Sequence, residues 1–452
     1  MFRSHTDAHL TGRTTRRHLL LGAGAGLGAI AAAACGAQPG AGTTTGEATS
    51  ATKQPATVVL ETYSSQAEFE NWKAQADRIH QKYPSITVEP AFVSDPYTRW
   101  TAAMAAGTGP DVMEFETKRM ASFAEKGLLL DLTPYAAKST AAKKADFLDA
   151  DWEKTLYKGK QWLLVAMSKP AVFFYNTDLL KRIGIDSLTT RWGDPAWTWE
   201  KFEDLCRKLT TGAGPSAQFA YDQSSWWVYM QPFVWSNGGD FVNKDRTGGA
   251  VDQPEAIEAL ERLHDLNVKD KAMPKKINNP EGGPSFQNGR VAIQHNNSGF
   301  WIGLRQVQDL KWNIAPVPTG KKGTIARNPP NGWANWSGTK VKDAAWLVDE
   351  ELTVPEALHN IEGVPSRKAQ AEKGDFASAE YLTSIGGTWQ VFIDAKKNSR
   401  DEPSTQYFQD LDATISKSQD AFWNNEMAVK DWAARLKTKI DAVQQGQGLQ
   451  DW

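Results

Sequence analysis

The chain has 452 residues, more than one ordinary hydrophobic core supports, and its length suits two domains of about 150–200 residues each. Hydrophobic residues make up 40% of it and charged residues 23%, a composition typical of a soluble globular protein. The formal net charge of −2 excludes a nucleic-acid binder whose affinity depends on a basic face.

Residues 1–34 are predicted to be a signal peptide. Arg16 and Arg17 precede an uncharged stretch, residues 19–34, that is rich in Leu, Gly and Ala and is too short and small-sided for a good membrane span. The arginine pair resembles a twin-arginine export signal, although the general secretory route also accepts arginine-rich leaders. We therefore predict export by one of these two routes.

Cys35 follows three alanines and precedes a glycine, and this sequence resembles a bacterial lipobox, in which cleavage leaves the cysteine free for acylation. Ala32 stands where lipoboxes usually have leucine, so a plain signal peptide cut nearby remains the alternative. Residues 35–55 are small, polar and rich in Gly and Thr, and are predicted to form a flexible linker. The prediction is a protein anchored to the outer face of the cell membrane through lipidated Cys35, or a periplasmic one if it is not lipidated.

From residue 57 onward, short β-branched runs alternate with helical patterns. Strands are predicted at residues 57–63, 86–90 and 111–115, and helices at residues 68–83 and 95–106. This alternation predicts an α/β fold with parallel strands, in which ligands bind beyond the carboxyl ends of the strands. That rule points to residues 63–66 and 114–117.

Sequence motifs of metalloproteases, serine hydrolases and P-loop NTPases are absent. After the predicted leader, the histidines at 80, 264, 295 and 359 lack the spacing of metal ligands. His295 precedes two asparagines in a loop-like stretch, and Cys206 lies in a helical pattern where a small buried residue is expected. We predict no catalytic residue, no metal, no cofactor and no disulfide.

Glu114 and Glu116 lie two residues apart at a predicted strand end, and hence on one face of the strand. In a glycosidase, such carboxylates act as acid and base, or as acid and nucleophile. In a binding protein, they accept hydrogen bonds from sugar hydroxyls while aromatic rings cover the sugar. The 19 tryptophans, several beside Gly, Asn or Ser as at Trp235 and Trp333, are compatible with both interpretations.

A set of fragments runs in a characteristic order through nearly the whole chain after the linker. The most specific is Val-Phe-Phe-Tyr-Asn-Thr-Asp-Leu-Leu at residues 172–180. The others lie at residues 107–113, 123–135, 159–167, 195–202, 289–293, 312–318, 331–338 and 363–368. Together they resemble family 1 of the bacterial extracellular solute-binding proteins, the substrate-binding components of ABC sugar importers, related to the maltose-binding type.

The resemblance implies a two-lobe, periplasmic-binding-protein-like fold of type II, with α/β lobes joined by a multi-strand hinge. The N-lobe is expected at residues 56–165 and 325–362, and the C-lobe at residues 166–324 and 363–452. The lobes would close on a mono- or oligosaccharide and deliver it to ABC permease subunits in the membrane. The expected protein is a monomer, not an enzyme, and binds no nucleic acid. The alternatives are a secreted, Trp-rich glycoside hydrolase and a surface adhesin.

The predicted ligand-binding residues come from the strand ends, the crossover and the loops that the family turns toward the cleft. Lys169 and Arg367 leave open whether the ligand is a neutral sugar, an acidic sugar or a non-sugar such as a glycerol phosphate or a small peptide. The full set is Tyr63, Ser65, Glu116, Lys169, Trp227, Trp235, Asn237, Asp240, Trp301, Trp333 and Arg367.

Overall fold

The computed structural model describes residues 54–63, 65–275, 283–304, 306–358, 361, 363–374 and 388–452. The predicted signal peptide, Cys35 and most of the predicted linker lie outside the described residues. None of the helices in the described ranges is long and apolar enough to cross a membrane.

Helices and strands alternate along most of the described chain. The strands are β1 (Ala56–Thr62), β2 (Ile86–Phe92), β3 (Val112–Glu116), β4 (Leu156–Tyr157), β5 (Lys160–Gln161), β6 (Leu164–Ser168), β7 (Ala171–Asn176), β8 (Phe219–Gln223), β9 (Val291–Asn297), β10 (Trp312–Ala315), β11 (Ala326–Arg327), β12 (Pro330–Asn335), β13 (Val364–Pro365) and β14 (Ser399–Arg400).

The α-helices range from single turns to the 17 residues of α1. They are α1 (Gln66–Lys82), α2 (Pro96–Ala105), α3 (Thr117–Glu125), α4 (Thr133–Ala136), α5 (Asp149–Glu153), α6 (Thr177–Lys181), α7 (Trp199–Leu209), α8 (Gln231–Asn237), α9 (Pro254–Val268), α10 (Phe300–Leu304), α11 (Lys342–Glu351), α12 (Lys368–Lys373), α13 (Gln390–Lys397), α14 (Phe408–Lys417), α15 (Gln419–Trp423) and α16 (Val429–Gln444).

The first lobe is built on a six-stranded sheet with the order β13-β6-β12-β3-β1-β2. β1 runs parallel to β2 and β3, whereas β12 runs antiparallel to both β3 and β6. β1, β3 and β6 are therefore parallel to one another. Their carboxyl ends, at Thr62, Glu116 and Ser168, lie at the same end of the sheet. The three strands predicted at the start of the chain are confirmed within one or two residues.

The second lobe is built on a four-stranded sheet with the order β10-β7-β9-β8. β7 pairs antiparallel with β9, so that Ala171 lies opposite Asn297. Only Lys169 and Pro170 separate β6 from β7, and the chain therefore passes directly from a strand of the first sheet to a strand of the second. This arrangement confirms the predicted two-lobe α/β fold.

The second lobe has the larger core, because the C-terminal helices pack against it. Leu411 of α14 and Trp432 of α16 belong to the same buried apolar cluster as Phe173 of β7 and Tyr221 of β8. Cys206 of α7 is fully buried in this cluster, as predicted for a small core residue.

Two tryptophans that the sequence places in polar loops lie in regular structure instead. Trp235 belongs to α8 and Trp333 to β12, and both are essentially fully buried. The Trp333 ring meets the Trp72 ring edge-on, with centroids 4.9 Å apart, inside the first lobe. The polar neighbours of Trp333 mislead because β12 is a central strand whose asparagines find hydrogen-bond partners within the protein: Asn331 donates to the Tyr63 hydroxyl.

The loop prediction for His295 is also wrong. His295 lies in β9 and is fully buried, with its ring centroid 5.3 Å from that of Phe173 and Nδ1 3.3 Å from the Tyr221 hydroxyl. Burial, together with the charge of Arg327, lowers the pKa of His295 to about 3, so the ring is neutral at physiological pH.

Gly332 in β12 provides a test of the packing between β12 and its neighbour β6. A Cβ atom at this position would overlap the Leu164 carbonyl oxygen of β6, and this backbone cannot move away without disturbing the centre of the sheet. We expect Gly332→Ala to lower the free energy of unfolding by about 1–3 kcal/mol in urea denaturation. The control is Gly303→Ala: Gly303 is an exposed helical glycine with no atom near its Cβ position, and alanine there should be neutral or slightly stabilising. Equal losses in the two variants would contradict this account.

Candidate functional site

The junction between β3 and α3 places several charged side chains where the two lobes meet. Glu116 ends β3 and accepts a hydrogen bond from the Tyr97 hydroxyl at 3.2 Å. Its carboxylate lies 2.6 Å from Lys118 Nζ. Burial by itself would raise the pKa of Glu116, but the charges of Lys118, Arg119 and Arg327 outweigh it and hold the pKa at about 2. Glu116 is therefore ionised at physiological pH.

Arg119 reaches from α3 across to the second lobe. Its guanidinium donates to Asp412 of α14 at 3.1 Å. The other carboxylate oxygen of Asp412 accepts hydrogen bonds from the indole Nε1 atoms of Trp226, at 2.8 Å, and Trp227, at 2.9 Å. One carboxylate thus orients two tryptophans of the second lobe and holds an arginine of the first. We refer to the region around Glu116, Arg119, Trp226 and Asp412 as the cleft.

Cations lie against the Trp226 ring in this cleft. Lys118 Nζ is 4.3 Å from the ring centroid, and the Arg327 guanidinium carbon is 5.3 Å from it. Arg327 forms an ion pair with Glu402, and both side chains are almost completely buried. Such cation–aromatic contacts strengthen when water is excluded, and they fix the orientation of the indole.

Neutral polar groups complete the second-lobe side of the cleft. The Tyr229 hydroxyl, which also lies near Arg327, donates to the Asn296 side-chain oxygen at 3.0 Å and accepts from the Asn297 amide at 3.2 Å. The asparagines end β9 next to the crossover strand β7. Amides and hydroxyls at this edge can exchange hydrogen bonds with a polyhydroxylated ligand.

A cavity of about 430 Å³ adjoins the cleft at the start of α3. Thr117 and Lys118 line it from the first lobe, and Asp401 and Ser404 line it from the segment that follows β14. The Ser404 hydroxyl donates to the Thr117 carbonyl oxygen at 3.1 Å, so the two sides touch directly. This volume lies within the range of small-molecule sites, which is about 300–1,000 Å³.

Three of the predicted site residues lie at or beside the cleft. Tyr63 accepts the hydrogen bond from Asn331, Glu116 forms the ion pair with Lys118, and Trp227 donates to Asp412.

Two further predicted residues lie between the end of β1 and the crossover. Ser65 caps α1, with its side-chain oxygen accepting from the Glu68 backbone N–H at 3.3 Å. Lys169 lies at the crossover, with its Nζ 3.9 Å from the carboxylates of both Glu68 and Glu114.

Three predicted residues of the second lobe are engaged within that lobe. The Trp235 indole donates to Asp240 at 2.9 Å. Asn237 donates to the Glu255 carbonyl oxygen at 2.7 Å and to the Glu258 carboxylate at 3.1 Å. These contacts orient α8 and the turn after it, and the structure does not bring the three side chains to the cleft residues defined above.

The remaining predicted residues also lie in internal contacts. Trp301 packs in the apolar cluster that contains Phe174, and Trp333 packs in the first-lobe core. Arg367 donates to the backbone oxygens of Thr353, at 2.6 Å, and Ala141, at 2.8 Å. Arg367 therefore joins first-lobe loops to one another.

The sequence interpretation missed several cleft residues for an identifiable reason. The rule that directs attention to strand ends stops at residue 117, whereas Arg119 lies one helical turn beyond Glu116 and on the same side of α3. Trp226 follows the end of β8 by three residues and could have been found by the same rule. Asp412 and Arg327 reach the cleft only through tertiary packing, and no local pattern identifies them.

Asp401 gives the stability of the protein a pH dependence that can be tested. Burial raises the pKa of Asp401 to about 6, although Lys154 lies 2.9 Å away and opposes the shift. Because this pKa lies above the unfolded value, folding is favoured at low pH, and this contribution of about 3 kcal/mol is lost as the pH rises from 4 through 6. The unfolding free energy of the wild type minus that of Asp401→Asn should therefore fall over this range in urea titrations at a series of pH values.

A non-titrating neighbour supplies the control for that measurement. Ser404→Ala alters the same segment without removing a proton-binding group, so its difference from the wild type should not change between pH 4 and pH 7. A difference between wild type and Asp401→Asn that stays constant over the same range would contradict the assignment.

Over 257 residues the chain is 23% identical to a binding protein of Brucella abortus (strain 2308), a match that covers 55% of this chain and 59% of that protein. The chain thus spans little more than half the length of the curated relatives that it matches.

Solved structures match over a larger share of the chain. An ABC substrate-binding protein from Listeria monocytogenes, in complex with cycloalternan, superposes with a TM-score of 0.76 at 20% identity, covering 88% of this chain and all of that one. The GacH receptor of Streptomyces glaucescens superposes with a TM-score of 0.73 at 20% identity, covering 87% and 99%.

Residues 63–358 match the family described as bacterial extracellular solute-binding protein. This stretch contains most of both sheets, the crossover and the cleft residues up to Arg327. The chain belongs to the bacterial extracellular solute-binding protein family.

Proposed function

We propose that this protein captures a carbohydrate between its two lobes and delivers it to the permease subunits of an ABC importer. The observation that carries the proposal is the Trp226 indole at the lobe boundary, which donates to Asp412 and has Lys118 and Arg327 against its ring. An aromatic face beside carboxylates and amides suits a sugar ring, because the ring has apolar C–H faces and hydroxyls around its edge. The solved Listeria protein in complex with cycloalternan and the Streptomyces receptor in complex with acarbose support a carbohydrate ligand.

Ligand capture would proceed by a shift between open and closed arrangements of the lobes. A ligand that contacts Glu116 on one side and Asn297 on the other favours the closed form by its contacts with both lobes. The lobes are proposed to comprise residues 56–165 with 325–362, and 166–324 with 363–452, with β6 and β13 at the boundary. The hinge would use Lys169-Pro170, the segment before β12 and the segment after β13.

Lys396 of α13 supports this placement of the hinge. Its buried ammonium donates to the backbone oxygens of Val364, at 3.0 Å, and Pro365, at 2.9 Å, and lies 2.8 Å from Asp151. A helix that packs on β7 of the second lobe is thereby connected to β13 of the first sheet. These contacts at the proposed hinge would persist while the cleft opens.

Export and lipid anchoring through Cys35 complete the proposed role. The family is extracellular by description, which supports export. A lipid anchor followed by a linker at residues 35–55 would hold the protein near the membrane while it searches for its permease.

The hydrolase alternative is disfavoured by the state of its two carboxylates. A glycosidase needs one carboxylic acid whose pKa is raised so that it can donate a proton. Nearby cations instead hold the pKa of Glu116 at about 2, and Glu114 lies 3.9 Å from Lys169. Reversible binding without turnover therefore fits Glu114 and Glu116 better, and the proposed function is not an enzymatic one.

A screen of the purified protein against neutral mono- and oligosaccharides tests the proposal. A carbohydrate that binds only the folded state should raise the melting temperature, since saturation at 100 times Kd stabilises the fold by about 2.7 kcal/mol. Small-angle scattering with the same sugar should show a smaller radius of gyration than without it. If the protein hydrolysed a glycoside and Glu116→Gln abolished this activity, the glycoside hydrolase alternative would be correct instead. A sugar that binds with no compaction would favour the adhesin.

Replacing the Trp226 ring tests its contribution to the ligand site. We expect Trp226→Ala to weaken the binding of the identified sugar by about 30-fold or more in calorimetric titrations, because the ring supplies the apolar contact face. Trp452→Ala is the matched control, since Trp452 packs against Trp432 in the C-terminal helices. Equal affinity losses in the two variants would show that Trp226 acts through general stability.

A further inference from the structure

We propose that the ligand is electrically neutral, because the buried cations of the cleft are already matched by carboxylates of the protein. This inference rests on the proposed function and specifies the class of carbohydrate within it. It also addresses the alternative that the sequence leaves open, in which cations near the cleft bind an acidic sugar.

The first matched pair is Lys118 with Glu116. The Lys118 side chain has no exposed surface, and its ammonium lies 2.6 Å from the Glu116 carboxylate and over the face of Trp226. A carboxylate on a ligand would have to compete with Glu116 for this ammonium. Glu116 and Lys118 are two residues apart in the same chain, so their pairing costs no translational or rotational entropy. Pairing with a ligand carboxylate would cost that entropy.

The second pair is Arg119 with Asp412. The guanidinium lies 3.1 Å from one Asp412 oxygen and 3.5 Å from Glu116, and 16% of its side chain is exposed. Asp412 is also held by the Trp226 and Trp227 indoles, so it cannot swing away from Arg119 without leaving these donors unpaired. An acidic ligand would therefore meet an arginine whose two carboxylate partners are fixed.

The third pair is Arg327 with Glu402, whose side chains are 3% and 0% exposed. At the crossover, Lys169 has the carboxylates of Glu68 and Glu114 within 3.9 Å. In the part of the chain that the structure describes, the buried cations of the cleft and Lys169 at the crossover thus each have at least one carboxylate of the protein nearby. Arg246, which is exposed at the adjoining cavity, donates to the Ser404 carbonyl oxygen instead.

A charged ligand group is consequently unfavourable in this environment. If a ligand carboxylate displaced a protein carboxylate from its cation, the displaced group would remain in the interface as a charge without a partner. If it displaced none, its own charge would enter the cleft without compensation. Hydroxyl groups avoid both costs, because they can donate to Asp412 or Glu116 and accept from Arg119 while the ion pairs persist.

The test compares neutral sugars with their acidic counterparts on the full chain by isothermal titration calorimetry. The panel is glucose, galactose, maltose and maltotriose against glucuronate, galacturonate and digalacturonate. We expect a neutral sugar to bind and its uronate counterpart to bind at least tenfold more weakly. Tighter binding of a uronate would overturn the inference alone. A panel in which no sugar binds would overturn the proposed function, and the inference with it.

A charge-only variant tests the cause of the preference. Asp412→Asn retains an oxygen that accepts from both indoles but removes the charge that matches Arg119, so the preference for the neutral sugar over its uronate should fall at least fivefold. Asp410→Asn removes a charge from the same helix and should leave the ratio of the uronate Kd to the neutral-sugar Kd unchanged. If Asp412→Asn does not fold, Glu402→Gln makes the same comparison at Arg327. An unchanged ratio in the folded variant would overturn the inference.

Discussion

The Asp412 carboxylate accepts both indole N–H groups of Trp226 and Trp227 on one oxygen and the Arg119 guanidinium on the other. An oxygen shared in this way restricts where the rings can lie, because hydrogen bonds are directional and both N–H groups must point at the same atom. The position of the aromatic surface therefore depends on α14, the helix that carries Asp412. Arg119 belongs to α3, which follows β3 of the first sheet, so its contact with Asp412 joins the two lobes.

The same geometry explains why many ionised groups can be kept close together at a lobe boundary. Charges at such a depth are unfavourable when isolated, and they persist here because Lys118, Arg119 and Arg327 each face a carboxylate. Two of the cations also contact the Trp226 ring, which lowers the cost of holding them there. Opening the lobes would separate Arg119 from Asp412 but would leave Lys118 with Glu116. By the proposed boundaries, Arg119–Asp412 and Arg327–Glu402 join the two lobes and favour closure, whereas Lys118–Glu116 lies within one lobe and preserves the site.

The sequence predicts the framework of the fold well and the site only in part. β-branched runs with turns between them predict β1, β2 and β3, because these strands are formed by local propensity and period. Trp235 and Trp333 are misplaced because polar neighbours in a central strand or short helix resemble loop residues until their tertiary partners are known. Tyr63 and Glu116 are reached by the rule that ligands lie beyond strand ends, whereas Trp227 is chosen without that rule. Arg327, Glu402 and Asp412 carry no local signal, since each becomes functional only through a partner distant in sequence.

Most of those distant partners come from the C-terminal part of the chain. The family match ends at residue 358, whereas Asp401, Glu402, Ser404 and Asp412 all follow it. The matched stretch contains β2, β3, β6 and β12 of the first sheet, all four strands of the second sheet, and the crossover between them. The segment after β14 and helix α14 then supply the carboxylates that meet Lys154, Arg327 and Arg119. Charge matching at the cleft is thus contributed largely by the C-terminal part of the chain.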